Sequence, residues 1–288
     1  MKAVITLLVC LLVNIACAQQ PDTALAKATY NFVHVRDTNN RDKPYKETMT
    51  LLLGRSVSLY RSLDKQLQQE AMAAQIKSQM NNAQNPNSID LTITSSGAIT
   101  SDEYYQYANE KKLYIETNIV NYYLVEDPLP AIDWKIQKDT MSFGALHCQK
   151  ANARVKGRNY EAWFCPELPF RNGPWKLWGL PGLILEAYDT KKEVMFKFAG
   201  FEDIRKQHLL IGPPADDIKT TTEKIERLKE TRLIDPASFN KATQGITQAR
   251  RGSAIDDMID PSHIHSININ KSEGGNIRVV NNPLEVGQ

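Results

Sequence analysis

The sequence has 288 residues, of which 42% are hydrophobic and 24% are charged, so it can bury a core and does not have the composition of a disordered chain. Its 35 Lys and Arg stand against 33 Asp and Glu, which gives a formal net charge of +2. That balance lacks the positive field of nucleic-acid-binding proteins, and we therefore expect no nucleic-acid partner.

The first eighteen residues predict a secretory signal peptide. Lys2 precedes an apolar stretch from Ala3 to Ile15, and the small-x-small triplet Ala16-Cys17-Ala18 follows it. The apolar stretch is short for a membrane span and no second long one follows, so we expect an exported protein that does not span the membrane. A lipid anchor at Cys17 is an alternative, because "NIAC" partly resembles a lipobox, but it is the less favoured one.

Most of the chain alternates between apolar and polar residues, as β-strands do. Strand-like segments run from "ATYNFVHVRD" to "EVMFKFAGF", whereas Leu63 to Met80 has helical composition. We expect a mainly β (α+β) fold: an antiparallel sheet, curved into an open barrel or half-barrel, with a few covering helices. Residues 19–288 are expected to form a single β-rich domain whose charged part, from about 213, is partly helical and partly flexible.

Two cysteines remain after the signal peptide, Cys148 and Cys165, and their spacing predicts a disulfide. If Lys156-Gly157 is the turn of a hairpin, Val155 lies opposite Arg158, and the same register places the two cysteines opposite each other. They then form a non-hydrogen-bonded pair, in which side chains approach closely. A structural disulfide is favoured over a redox-active pair, which normally has C-x-x-C spacing.

The hexapeptide "GLPGLI", which ends at Ile184, has the glycine and proline content of either a ligand loop or a turn. It is not a phosphate loop, because Pro181 lacks an N–H and no Lys-Ser/Thr follows, and no basic amphipathic face supports membrane insertion. Pro181 and Gly182 occupy the second and third places of a four-residue turn, as in type II turns. We expect Gly179, Pro181 and Gly182 to form a structural turn before a strand-to-strand hairpin.

Few residues offer catalytic or ligand-binding chemistry, and the common enzyme signatures are absent from the sequence. His263 and His265 would share one side of a strand, so they are candidate metal ligands, although a solvated acidic loop is the alternative. Trp163, Trp175 and Trp178 are candidates for a ligand surface, although core packing is the commoner fate of tryptophan. We assign no catalytic residue and expect no cofactor.

The segment "AWFCPELPFRNGPWKLWGLPGLILEAYD" resembles the signature of the GLPGLI family, also called Porph_ging, of exported proteins from Bacteroidetes. The matching pieces are "AW" at Ala162-Trp163, "PELP" at Pro166 to Pro169, "GPWK" at Gly173 to Lys176 and the hexapeptide. The closing "NNPLE", Asn281 to Glu285, is also similar to the end of these chains. The resemblance implies an exported, mostly β-rich protein, and it implies neither an activity nor any catalytic or binding residue.

Export, a large sheet, aromatic residues near the central turn and missing catalytic signatures favour a non-enzymatic binding or carrier protein of the cell envelope. It would lie in the periplasm or at the outer membrane. A curved sheet with a helical cover would offer an apolar cavity, so we expect a hydrophobic small molecule, a lipid or a peptide as ligand. An outer-membrane protein is a further candidate partner. The competing hypotheses are an envelope hydrolase without a recognisable motif and an accessory subunit of an outer-membrane uptake complex.

Overall fold

The computed structural model describes residues 21–83, 89–95, 100–243, 264–271 and 280–286. The strands in these ranges are β1 (Asp22–Thr23), β2 (Ala26–His34), β3 (Tyr45–Leu53), β4 (Ser58–Ser62), β5 (Ile89–Ser95), β6 (Glu103–Tyr107), β7 (Lys112–Asn118), β8 (Tyr122–Pro128), β9 (Lys135–Phe143), β10 (Leu146–Val155), β11 (Arg158–Cys165), β12 (Leu183–Asp189), β13 (Val194–Asp203), β14 (Leu210–Ile211), β15 (Ile218–Thr220) and β16 (Ile264–Lys271). The helices are α1 (Leu63–Asn81), α2 (Thr222–Ile234) and α3 (Pro236–Thr243), with a 3-10 turn at Arg205–Gln207.

Within the described ranges, twelve strands form one open sheet in the order β15-β8-β7-β6-β4-β3-β2-β13-β12-β11-β10-β9. Neighbouring strands are antiparallel except β15, which lies parallel to β8. Separate two-stranded ladders join β1 to β14 and β5 to β16. The predicted mainly β fold, with an open antiparallel sheet and few helices, is confirmed.

Curvature of the sheet brings distant strands together on one face. Tyr60 of β4 and Phe196 of β13 are three strand spacings apart, about 14 Å in a flat sheet. Their ring centroids are 6.3 Å apart, which requires the sheet to bend towards this face. We call it the concave face.

Two predicted hairpins are present with the expected pairing. In the β10–β11 hairpin Val155 lies opposite Arg158, and Lys156 and Gly157 form the turn with φ of 46° and 82°. Positive φ at both turn residues is typical of type I′, whose twist matches that of the strands. The hairpin predicted after the hexapeptide is that of β12 and β13, which residues 190–193 join.

The predicted first helix is also present, and local residues explain its start. Ser62 caps α1, because its hydroxyl accepts a hydrogen bond from the Lys65 N–H at 2.9 Å. Only Ile76 of this helix is buried, so α1 covers the sheet with a narrow apolar contact. None of the helices in the described ranges is long and apolar enough to cross a membrane.

Two hydrophobic clusters lie on opposite faces of the β2–β4 region. Leu51 and Leu53 belong to the first cluster, while Leu52 and Leu59 belong to the second. Successive residues of a strand point to opposite faces, so continuous apolar runs here indicate a sheet that is covered on both sides. The first cluster also includes residues from β10 to β13 and from the loop that joins β11 to β12.

Candidate functional site

The loop between β11 and β12, residues 166–182, folds back onto the concave face of the sheet. Trp175, Leu177 and Leu180 of this loop are buried in the first hydrophobic cluster. Trp175 stacks on Phe196 with an interplanar angle of 14°, and its carbonyl accepts a hydrogen bond from the Gln106 side chain at 2.6 Å. The loop therefore fills part of the space that we expected to form an apolar ligand cavity.

The three tryptophans proposed as a ligand surface do not share one surface. Trp175, in the loop, is 1% exposed and contacts Tyr160 on one face of β11. Trp163 is buried on the opposite face of β11. Trp178 donates its ring N–H to the Pro130 carbonyl, and its own carbonyl accepts the ring N–H of Trp134, both at 2.8 Å. These tryptophans fasten the loop to neighbouring segments, and ligand contact by them remains a prediction.

The turn at the hexapeptide is tighter than predicted. The Gly182 N–H donates to the Leu180 carbonyl at 2.8 Å, which closes a three-residue turn around Pro181. A type II turn has φ of about 80° at its third residue, whereas Gly182 has φ of 154°, and the Leu183 N–H that could close such a turn donates to the Leu168 carbonyl at 3.0 Å. The type II assignment is therefore wrong, because a residue of the folded-back loop takes the closing donor.

The two glycines of this turn meet different constraints. Gly179 has φ of 97°, and an added Cβ would meet nothing within 4 Å. Gly182 has φ of 154°, and an added Cβ would lie 2.2 Å from the Cys165 carbonyl oxygen. Gly182 is thus required by its conformation and by the close approach of two backbones.

Cys148 and Cys165 lie next to each other as buried free thiols. The pKa of the Cys148 thiol is raised to about 12, first by burial and then by the charge of Cys165 and a hydrogen bond with it. A thiol with so high a pKa is a poor nucleophile, which argues against redox catalysis. Their proximity supports the proposed disulfide, which stays a prediction.

The proposed metal ligands cannot be placed. His263 lies outside the described residues, and the His265 side chain is also outside them, although its backbone belongs to β16. Among the residues that the structure describes, no group of three or more His, Cys, Asp or Glu side chains is arranged to hold a metal ion. A metal site at the two histidines stays a prediction.

A buried charge cluster around Arg158 is the most highly connected polar group of the motif region. Arg158 is 5% exposed, and its Nη1 donates to Asp189 at 2.7 Å and to Glu193 at 3.4 Å. Its Nη2 donates to the Asn282 side chain at 2.5 Å and to the Pro283 carbonyl at 2.6 Å. Its Nε donates to the Leu284 carbonyl at 3.1 Å. All five N–H donors of the guanidinium are therefore used.

The same cluster is balanced in charge and holds a neutral histidine. Arg41 forms a second ion pair with Glu193, so two arginines face two carboxylates. His34 donates to the Asn282 carbonyl at 2.9 Å, and burial first of all lowers its pKa to about 4. The sequence carries one signal of this cluster: Arg158 falls on the apolar face of β11 with Tyr160 and Ala162, and an inward-facing arginine needs buried partners.

A second buried cation links the loop to the same part of the chain. Lys176 is 5% exposed, and its Nζ donates to the Glu285 carboxylate at 2.6 Å. Asp127 lies 4.0 Å from the same nitrogen. Arg158 of β11 and Lys176 of the loop before the hexapeptide both contact the "NNPLE" segment, which is far from them in sequence.

Two open clefts meet at Arg154, beside the β10–β11 hairpin. The larger, of about 500 Å³, is lined by polar residues that include Asp133, Lys135, Asn152 and Glu161. The smaller, of about 330 Å³, lies between residues 127–131 and 154–156. The buried Oδ1 atom of Asn152 has no hydrogen-bond partner among the described residues. Their linings combine polar side chains with apolar ones, among them Tyr160 in the larger cleft and Leu129 in the smaller.

A pair of carboxylates lies on β6 and β7, away from both clefts. Glu103 and Glu116 are cross-strand neighbours, and Tyr105 donates to Glu116 at 3.1 Å. Burial first, and then the charges of Glu103 and Asp217, raise the pKa of Glu116 to about 7. Such a group can exchange a proton near neutral pH, but neither cleft described above is lined by it.

Comparison with known proteins identifies the motif region. Residues 152–186 match the family model described as a protein of unknown function, Porph_ging, which confirms the resemblance seen in the sequence. Two solved structures of PNGF-II, in space groups P21 and C2, are similar with a TM-score of 0.47 and sequence identities of 11% and 12%. Each match covers 71% of this chain and 32% of the PNGF-II chain, so the chain spans about a third of that protein. No curated protein matches the sequence.

Proposed function

We propose that this chain, with its Porph_ging segment, is an exported, non-enzymatic binding protein of the cell envelope, and that its ligand is a peptide in extended conformation. The site is the pair of clefts that meet at Arg154. Location in the envelope, in the periplasm or at the outer membrane, rests on the predicted signal peptide of residues 1–18. The peptide class rests on the backbone geometry of β10.

The observation that supports this proposal most strongly is an unpaired strand edge beside the clefts. The pairing of β9 with β10 ends at Lys135 and Asn152, so β10 extends past its neighbour on that side. Val155 and Arg158 flank a two-residue turn and therefore form a hydrogen-bonded pair. The next pair, Arg154 and Asn159, is a non-hydrogen-bonded one. The N–H and C=O of Arg154 therefore point away from β11 and towards the clefts.

Side chains around this edge favour a polar peptide over a lipid. Asp133 and Glu161 supply negative charge, and Lys135 supplies positive charge, within one cleft. A peptide that adds a strand to an exposed edge uses main-chain bonds for affinity and side-chain pockets for specificity; here the N–H and C=O of Arg154 supply the main-chain groups and the two clefts supply the pockets.

A randomised ten-residue peptide library, selected on the immobilised full-length protein, tests the proposal. The selected peptides should bind Arg154→Glu at least tenfold more weakly than the wild type. Arg227→Glu, a charge reversal at an exposed position on α2, is the matched control and should bind them normally. N-methylation at alternate peptide positions should abolish binding, because it removes main-chain donors from a strand.

Two results would overturn the proposal. One is that the library yields no peptide whose affinity falls more with Arg154→Glu than with Arg227→Glu. The other is selective binding of oligosaccharides, in a parallel glycan array, that Arg154→Glu weakens while no peptide is selected. The first result removes the site, and the second removes the peptide class.

A further inference from the structure

Residues 281–286, which we call the strap, are bound by other parts of the chain as an extended peptide ligand would be. At one end, the N–H groups of Asn281 and Asn282 both donate to the Arg36 carbonyl, at 3.1 and 3.0 Å. At the other end, the Val286 N–H donates to the Lys156 carbonyl at 3.1 Å. The two ends are thus held by the segment after β2 and by the β10–β11 turn.

Asn282 is the most specifically recognised residue of the strap and is 8% exposed. Its side-chain amide donates to the Val35 carbonyl at 2.7 Å and to Glu193 at 3.1 Å, while its oxygen accepts from Arg158. Its backbone carbonyl accepts from His34. Aspartate would lose both amide donors, and a larger side chain would not fit among these groups.

The next residues of the strap supply carbonyls and one acidic group. Arg158 donates to the carbonyls of Pro283 and Leu284, so it recognises main chain in the middle of the strap. The Leu284 side chain packs against the first hydrophobic cluster. The Glu285 carboxylate lies between Lys176 at 2.6 Å and Lys156 at 3.5 Å.

These contacts differ from those of a strand or helix, because every strap bond named above goes to a residue outside the strap. The recognised pattern is an asparagine, a proline, an apolar residue and an acidic residue in succession. Peptide-binding domains likewise hold short extended motifs in trans through main-chain hydrogen bonds and side-chain pockets.

We propose that the groove around Arg158 is a recognition site for short Asn-Pro-Leu-acidic peptides, which the chain's own strap fills in this structure. The strap of a second copy of this chain, which carries this sequence, binds there when the chain's own strap is displaced. Arg154 takes no part in the strap contacts named above, so this site stands whether or not the cleft at Arg154 binds a ligand.

Fluorescence anisotropy with a labelled synthetic peptide, Val-Asn-Asn-Pro-Leu-Glu-Val, tests this site on the full-length protein. The peptide should bind Asn282→Ala and Glu285→Ala at least tenfold more tightly than the wild type, because a weakened strap competes less. A peptide with alanine in place of its second asparagine should bind Asn282→Ala at least tenfold more weakly. Glu285→Ala keeps the main-chain contacts, so it serves if Asn282→Ala does not fold.

Equal affinity of the peptide for the wild type and for natively folded Glu285→Ala would overturn the proposal, as would absence of binding to both. Size-exclusion chromatography over a range of protein concentrations identifies the source of the ligand. A wild-type dimer that forms as the protein concentration rises, and that the free peptide dissociates, supports exchange of straps between two copies. A wild type that stays monomeric at every concentration, while Glu285→Ala binds the free peptide, overturns this exchange and leaves a segment of another protein as the ligand.

Discussion

Replacement of Arg158 by methionine should be the most damaging single change in the polar part of the core. The variant keeps the length and apolar stem of the side chain and removes the guanidinium. Asp189 and Glu193 are then left buried, with side chains 4% and 5% exposed, beside one remaining cation, Arg41. The strap loses the donors to two carbonyls and to the Asn282 amide oxygen.

The size of the destabilisation follows from the distances of the two ion pairs of Arg158. With an effective dielectric constant of about 20, charges separated by the 2.7 and 3.4 Å of the two ion pairs attract by about 6 and about 5 kcal/mol. Desolvation of the arginine offsets much of this attraction, and removal of one partner of a buried pair costs about 3–5 kcal/mol in practice. For a protein of this size such a loss lowers the melting temperature by roughly 10 °C.

Urea denaturation followed by circular dichroism at pH 7 measures the free energy of unfolding. Arg205→Met is the matched control, because Arg205 also pairs with a carboxylate, Asp203, but is exposed on the surface. The control should unfold at the urea concentration of the wild type. Arg158→Met should unfold at a much lower one.

A pH series separates the charge effect from lost packing. Burial alone would raise the pKa of Glu193, but bonds from Arg41, Arg158 and Asn282 outweigh it and lower the pKa. In the wild type this stability is present above the unfolded pKa and is lost as pH falls through the folded pKa. In Arg158→Met the bond from Arg158 is lost while those from Arg41 and Asn282 remain, so the pKa of Glu193 rises and acid relieves part of the penalty. A destabilisation below about 1 kcal/mol, or one that is the same at pH 7 and pH 4, would refute the reasoning.

Three further predictions concern the hexapeptide, the cysteines and the buried carboxylate. In urea denaturation, Gly182→Ala should lower the free energy of unfolding by about 3 kcal/mol or more and Gly179→Ala by about 1–2 kcal/mol. Both place alanine at positive φ, but only Gly182→Ala also places a Cβ 2.2 Å from a carbonyl oxygen. Equal losses would contradict the close-approach argument. Oxidation of Cys148 and Cys165 by a small-molecule disulfide should stabilise the protein by up to about 3 kcal/mol. Because both side chains are buried, alkylation of the exported protein is done in urea without reduction, and it should label neither residue; two labelled thiols would contradict the disulfide. Because burial raises the pKa of Glu116 to about 7, its charged form is disfavoured in the folded state, so stability should fall as pH rises from about 4.5 to 8, by up to about 3 kcal/mol. Glu116→Gln should remove that decline, and an unchanged pH profile would count against it.

Local patterns explain which parts of the fold the sequence predicts well. The pairing of Val155 with Arg158 follows from a two-residue turn and the alternation around it, and both are properties of adjacent residues. The start of α1 after Ser62 is likewise local. The turn at Gly182 was predicted with the wrong geometry because its outcome depends on Leu168, which reaches it only after the loop has folded back.

The polar site is less predictable because its members are distant in sequence. Arg158 meets Asn282 across 124 positions and Lys176 meets Glu285 across 109, and no periodicity connects residues so far apart. The strand edge at Arg154 depends on where β9 begins, and the boundaries of an element are what a sequence predicts least well. Both sites required the register of the whole sheet.

The position of the hexapeptide changes how mutations in it should be interpreted. Its loop packs Trp175 against Phe196, its last glycine contacts the Cys165 carbonyl, and Lys176 holds the strap, so the most recognisable residues of the chain stabilise its core. Loss of function after a change there would follow from loss of folded protein, and would say nothing about a ligand. Exposed Arg154 differs, because its N–H and C=O lie outside the β11 ladder and its side chain lines a cleft. Substitutions at Arg154 that leave the unfolding curve unchanged can therefore separate binding from stability.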